Sequence, residues 1–310
     1  MLSIHLETCD GETYALPMLL EWSLTFTGSV PCDSMSAVCL YHPDMAEILP
    51  KAVRFTAVEE DKVMLRGVVD AYEIAFSGQG MVVTVEGRGM AALLLDNEAE
   101  AVSYSLATLP EIIANHVSPY GIQTQGGGQL AMSGYAVTSG SSQWKAVREF
   151  VRRCGGFEPY FTRDGTLAVQ PLWRSGRTIP LGDDTPMMSL KKREQRYGVI
   201  SEMLIKDKHI SQQVVNEPFA AVGGQRRYVL YMPRSTAPQR RYTGEYQIAQ
   251  SELERVEIDV TLPLAFAAFP GDRAEMTIGK LGLEGTYEVV RSRSEMNEKG
   301  QLTVLTLSVR

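Results

Sequence analysis

Between Lys62 and Gly87 the chain reads KVMLRGVVDAYEIAFSGQGMVVTVEG, two stretches rich in β-branched and aromatic residues parted by a Ser-Gly-Gln-Gly cluster. Long β-type runs broken only by turn residues predict a hairpin over residues 62–86. A lone hairpin is not stable in water, so neighbouring sequence must complete a sheet. Candidates are at hand: Trp22, Leu24 and Phe26 alternate with polar residues in EWSLTFTG, as do Val53, Phe55 and Ala57 in AVRFTA. Short strands separated by turn clusters predict a barrel or sandwich for the first hundred residues.

After Gly87 the pattern changes. GRGMAALLLDNEAEA holds helix formers from Met90 to Leu95, and Ser105 is a candidate N-cap for a helix carrying Leu106, Leu109, Ile112, Ile113 and His116. Ser118, Pro119 and Gly121 end it. Residues 123–143 are rich in Gly and Ser and read as a flexible connection with room for one short strand. A second helix is capped by Ser142, carries Trp144, Val147, Phe150 and Val151 on one face, and ends at Gly155 and Gly156. A hairpin turning at Asp164-Gly165 follows.

The last third returns to β patterning in VISEMLIK, VEIDVTL, RAEMTI, GTYEVVRSRSEM and QLTVLTLSV. Residues 211–242, rich in Pro, Gly, Arg and Gln, read as a long excursion. In the final strand the apolar phase slips from Leu302 and Val304 to Leu305, Leu307 and Val309, which predicts a bulge or burial on both faces. The order is therefore β barrel, α+β insert, β barrel.

Motifs that carry chemistry are few. Gly87-Arg88-Gly89-Met90-Ala91-Ala92 follows a strand and fits the loose dinucleotide pattern, but no second parallel strand ending near an acidic residue follows, so a tight strand-to-helix corner is expected instead. Gly126-Gly127-Gly128 lacks a following Gly-Lys-Ser/Thr. The acidic groups Glu59-Glu60-Asp61 and Asp183-Asp184 read as solvated turns. Cys9, Cys32, Cys39 and Cys154 have no CxxC spacing and read as reduced thiols in or near cores; His5, His42, His116 and His209 are scattered. No stretch matches a membrane helix, and MLSIHLETCDGETY lacks the basic and apolar regions of a signal peptide, so a cytoplasmic chain is expected unless it travels within an assembly.

Charge is unevenly spread within the net −7. Residues 1–100 hold 5 Lys and Arg against 16 Asp and Glu, whereas residues 191–241 hold 11 against 4. This fits either complementary faces that pack copy against copy or solvated loops. In the basic segment, Lys191, Lys192, Arg193, Arg196, Arg226, Arg227, Arg240 and Arg241 are interleaved with Tyr197, Phe219, Tyr228, Tyr231 and Tyr242. Such a mixture suits single-stranded nucleic acid, an exposed loop or a protein interface. The interface reading is preferred, with Tyr228 among its residues.

Three stretches, residues 67–100, 142–172 and 269–309, together resemble the baseplate hub proteins of contractile phage tails and phage-tail-like particles, including the late control protein D group. The resemblance rests on the order of hydrophobic and turn patterns and covers most of the chain. It implies a β-rich α+β fold with two tail-tube-like β barrels, residues 1–99 and 176–310, flanking a small α+β insert at 100–175. It also implies a homotrimer in which three chains supply six barrels around an axial channel, joining a six-fold tail tube to a three-fold spike. Partners would be the tube protein, the spike protein and other baseplate proteins, in a particle assembled in the bacterial cytoplasm. No catalytic, cofactor or metal site, no membrane and no specific nucleic-acid partner are expected. The acidic first hundred residues would suit a channel lining that does not hold DNA.

Overall fold

The computed structural model describes every residue except 29, 30, 32, 79, 173–175, 209, 254 and 310. Its first lobe contains β1 (Ser3–Thr8), β2 (Thr13–Ala15), β3 (Leu19–Thr27), β4 (Ser34–Leu40), α1 (Met45–Ile48), β5 (Ala52–Glu59), β6 (Lys62–Ser77) and β7 (Gly80–Gly89). Alternation sends Ile4, Leu6, Trp22, Leu24, Phe26, Phe55, Ala57, Val83 and Val85 into one core, which Met45 of α1 helps to fill. Glu60 and Asp61 both take positive φ at the β5–β6 turn, so that acidic group is a tight hairpin turn.

The second lobe contains β13 (Thr178–Gly182), β14 (Ser189–Glu194), β18 (Val256–Leu262), β19 (Arg273–Ile278), β20 (Leu283–Asn297) and β21 (Gly300–Ser308) around Leu181, Ile258, Val260, Met276, Val289, Leu305 and Leu307. The predicted phase slip in β21 is burial on both faces, since Leu305 to Ser308 are all buried. Between the lobes in sequence lies the insert: α2 (Ala92–Leu95), β8 (Val102–Thr108), α3 (Leu109–His116), β9 (Thr124–Gly126), β10 (Ala131–Val137), α4 (Gln143–Gly155), β11 (Tyr160–Phe161) and β12 (Leu167–Val169). Ser142 Oγ accepts from Lys145 N–H at 3.2 Å at one end of α4 and Gly156 takes φ +73° at the other, as its sequence requires.

Both lobes belong to one thirteen-stranded sheet with the order β14-β18-β21-β20-β3-β4-β7-β6-β5-β1-β2, in which β13 pairs β19 and β19 pairs β20. The connecting strand is β20. Its first part pairs β19 from Arg273↔Glu288 to Ile278↔Leu283. Beyond a bulge between Val289 and Arg291, it pairs β3 from Arg291↔Thr27 to Met296↔Trp22. The seam is backed by Phe26 and Phe269, edge to face at 5.1 Å, and by the Arg163 guanidinium 4.1 Å from the Phe269 ring.

Four expectations are corrected. The lobes curl around their cores but are not closed barrels among the described residues, because β3 gives its outer edge to β20 instead of returning to β1 or β2, and β13 and β14 do not pair. Helix α3 begins at Leu109, not after Ser105: Pro110 lies in its first turn, and Ser105 and Leu106 lie in β8. Residues 123–143 hold two strands rather than a flexible link. The excursion at 211–242 belongs to a folded unit made of β15 (Glu202–Lys206), β16 (Ser211–Val215), α5 (Glu217–Ala221), β17 (Arg227–Tyr231) and α6 (Ala237–Leu253), whose core is Met203 and Ile205 with Val214, Leu230 and Ile248. Gly244 lets α6 lie against that sheet, since a Cβ there would come 2.6 Å from Val214 and 2.9 Å from Ile205.

Of the thiols, Cys39 is buried, Cys154 half-buried and Cys9 exposed, and all three are free; Cys32 lies outside the described residues. No described helix is long and apolar enough to cross a membrane.

Two predictions follow from these contacts. A Cβ on Gly67 would sit 2.0 Å from the Arg88 carbonyl oxygen and 2.7 Å from the Phe55 ring. Gly67→Ala should therefore cost roughly 1–3 kcal/mol or more in urea unfolding. Asp33, beside the seam, accepts from the Thr27 N–H at 2.8 Å, yet burial pushes its carboxyl up from 3.8 to about 6. The folded state thus keeps the Asp33 proton at a pH where the unfolded chain releases it. Its contribution favours folding more as pH falls from about 6 towards 4 and is lost as pH rises through about 6. Asp33→Asn should gain stability relative to wild type between pH 5 and pH 7; an unchanged difference across that range would refute the assignment.

Candidate protein interface

A sheet exposes unpaired N–H and C=O groups along its edges, and such edges either are blunted or meet another chain. Two stand out here. Among the described residues β14 pairs only β18, from Ser189↔Thr261 to Glu194↔Val256. Its outer edge carries the exposed Lys191, Lys192 and Arg193, with Leu190 half-buried against the second core. Glu194 meets Arg196 at 3.0 Å and Arg255 at 3.3 Å, and these arginines hold its carboxyl below the usual range.

The other edge is the far half of β6. Its near half lies between β5 and β7, but the pairing with β5 stops at Arg54↔Val68. Beyond a bulge between Val69 and Ala71, β6 pairs β7 alone up to Ser77↔Gly80. This half carries Tyr72, Ile74 and Phe76, which are 42%, 41% and 81% exposed. Apolar side chains along an open strand edge are a liability unless the edge is covered.

The remaining basic residues are largely committed within the chain. Arg226 donates to the Tyr197 carbonyl at 3.2 Å and to that of Gly198. Arg227 meets Glu202 at 2.8 Å. Arg241 meets Glu245 at 3.6 Å and lies 5.0 Å from the Tyr242 ring. Arg240 is 4% exposed and donates to Ser235, so it presents nothing to a partner in this chain. Tyr228 and Tyr231 are exposed on β17. The predicted residues are therefore not one patch: Lys191, Lys192 and Arg193 form a strand edge, whereas Arg240 and Arg241 lie at the start of α6. Sequence reasoning missed Tyr72, Ile74 and Phe76 as surface residues, because their alternation is that of a core strand.

Arg193, Arg226 and Tyr228 also border a cleft of about 1190 Å³ between α6, the insert and the second lobe. Two of its carboxylates, Glu158 and Glu252, are engaged. Glu158 pairs with Arg148 at 2.8 Å and accepts from the Tyr246 hydroxyl. Glu252 accepts from Asn216 at 2.7 Å and pairs with Arg255 at 3.4 Å. Burial and the neighbouring Glu158 both raise the Tyr246 phenol, so it stays protonated and donating.

The remaining chemical candidates serve the fold. A Cβ on Gly87 would lie 2.4 Å from the Val68 carbonyl oxygen and 2.7 Å from the Phe55 ring, while Arg88 is clamped by Asp70 at 2.7 Å and Asp96 at 2.6 Å. The dinucleotide-like motif is thus a packed corner with its cation already neutralised. His116 is buried, with Tyr104 Oη 3.0 Å from Nε2 and Gln143 Oε1 2.7 Å from Nδ1. Since Gln143 Nε2 donates to the Glu98 carbonyl at 3.1 Å, its oxygen accepts from His116, and the imidazole cross-links β8, α3 and α4.

No family model and no curated protein matches this sequence. Solved structures do share its fold. A tail protein from Neisseria meningitidis MC58 matches with a TM-score of 0.79 and 15% identity, over 99% of this chain and 96% of that one. The 43 kDa tail protein of prophage MuSo2 from Shewanella oneidensis matches with a TM-score of 0.79 and 14% identity, over 100% and 98%. An Escherichia coli type VI secretion system component, described as structurally similar to the bacteriophage T4 tail proteins gp27 and gp5, matches with a TM-score of 0.54 and 11% identity, over 94% and 73%. What is shared at these identities is the fold: a β-rich fold common to these phage-tail proteins, in line with the resemblance, though without, among the described residues, the closed barrels it implied.

The Arg148–Glu158–Tyr246 cluster ties α6 to the insert. Glu158→Gln should cost about 1–3 kcal/mol locally, because it leaves a partly buried arginine without its countercharge. Hydrogen exchange should then rise across β15–α6 while the main sheet keeps its protection.

Proposed function

We propose that this chain is a structural hub of a phage-type tail baseplate: three copies form a ring that joins a six-fold tail tube to a three-fold spike around an axial channel. The reading assigns it no reaction and no cofactor, and places it in a virion or phage-like particle. The observation that carries it is the seam. One chain already joins two β lobes edge to edge in a continuous sheet, and it leaves an open strand edge on each lobe. A rotational assembly of such units needs only a further edge contact of the same kind. The shared fold with tail proteins supports the setting.

A tail-associated cell-wall-degrading enzyme is the alternative that the cleft invites, but Glu158 and Glu252 there are already held by arginines and hydrogen-bond donors. A single-stranded nucleic-acid module using residues 191–241 is weaker still, since Arg196, Arg226, Arg227 and Arg241 are engaged within the chain and Arg240 is buried.

Solution mass with negative-stain imaging tests the proposal. A three-subunit ring with an axial hole is expected. A stable monomer would overturn it, and salt-sensitive retention of single-stranded DNA would favour the nucleic-acid reading.

A further inference from the structure

The two lobes are built on one plan, and the plan specifies a contact that a single chain leaves unmade. Reading across the sheet, β3-β4-β7-β6-β5 in the first lobe corresponds to β14-β18-β21-β20-β19 in the second. Register makes the match residue by residue. The β6–β7 hairpin closes at Ser77↔Gly80 and bulges between Val69 and Ala71; the β20–β21 hairpin closes at Asn297↔Gly300 and bulges between Val289 and Arg291. One constant offset superimposes both features, and Gly80 and Gly300 both take positive φ, 124° and 106°. On the other side, Thr25↔Ser34 and Leu24↔Met35 in the first lobe correspond to Arg193↔Glu257 and Lys192↔Ile258 in the second.

Within the chain, the half of β20 beyond its bulge pairs β3. The equivalent of that half is β6 beyond its own bulge, the open apolar edge. The equivalent of β3 is β14, the open basic edge. We propose that the far half of β6 pairs antiparallel with β14 of a second copy, repeating the seam between β20 and β3.

The seam fixes the register of the new contact. Arg293↔Thr25 becomes Glu73 opposite Arg193, and Met296↔Trp22 becomes Phe76 opposite Leu190. The register comes from backbone pairing alone, yet the side chains it brings together are complementary: an acid meets a base, and the most exposed aromatic on β6 meets the apolar residue of β14. Between them Ile74 and Ala75 lie opposite the stems of Lys192 and Lys191, which can cover apolar surface while their ammonium groups stay in water. The contact is head to tail, since the first lobe of one copy meets the second lobe of the next. It therefore makes a closed ring or an open helix according to the rotation at each seam.

This inference rests on the ring-forming reading above, and the test separates the two. A Glu73→Cys, Arg193→Cys double variant is oxidised mildly and run without reductant, beside an Ala71→Cys, Arg193→Cys control that is two residues out of register. Efficient cross-linking into a closed trimer by the first pair, and little by the second, is expected. Glu73→Arg should weaken assembly by roughly fivefold or more per contact, and adding Arg193→Glu should restore it. Trimers that form without cross-linking at this pair, or that ignore the charge reversal, would sink the proposed register and leave the ring standing. A wild-type chain that stays monomeric at high concentration would sink both.

Discussion

The whole architecture depends on β20 being longer than the lobe it belongs to. A strand of ordinary length would end where β19 ends, and the second lobe would sit beside the first through side chains alone. The bulge after Val289 lets the strand bend and continue, so that Arg291 to Met296 leave one lobe and enter the ladder of the next. Backbone hydrogen bonds then cross the boundary. Such a junction fixes spacing and relative twist more tightly than packed side chains do, because a slip of one residue would turn every side chain to the opposite face.

That junction also explains why the first lobe is not closed among the described residues. An isolated small sheet hides its edges by pairing its first and last strands. Here β3 has given its outer edge away, so the first lobe has nothing to close with, and the far half of β6 remains open for the same geometric reason.

The sequence was most legible where one element carries its own instructions. The β6–β7 hairpin, the Ser142 and Gly156 caps of α4 and the Asp164-Gly165 turn all follow from local pattern, and the structure has each of them. Elements defined by their neighbours were not legible. SLKKRE becomes strand β14 because β18 offers it a ladder, not through its single apolar residue. Helix α6, interrupted by Gly244 and without an apolar stripe, is held by Tyr246 and by the close approach that the glycine permits. The duplication is nearly invisible as text. Between the two long hairpins only Val69 with Val289 and Gly80 with Gly300 keep the same residue, because a ladder preserves spacing and turn geometry while side chains on a shared plan are free to diverge.

One difference between the lobes has a consequence for form. In the first lobe β3 connects to β4 directly, across residues 28–33; in the second the corresponding strands, β14 and β18, are separated by the whole β15–α6 unit. That unit hangs from a hairpin tip with a core of its own, so its size and surface can drift without disturbing the ladder beneath it. In a ring assembled as proposed, the sheet would show six near-alike faces to one neighbour, and the appendages would show three to another. The change from one rotational order to the other would then reside in a single connecting loop, long in every second lobe and short in the rest.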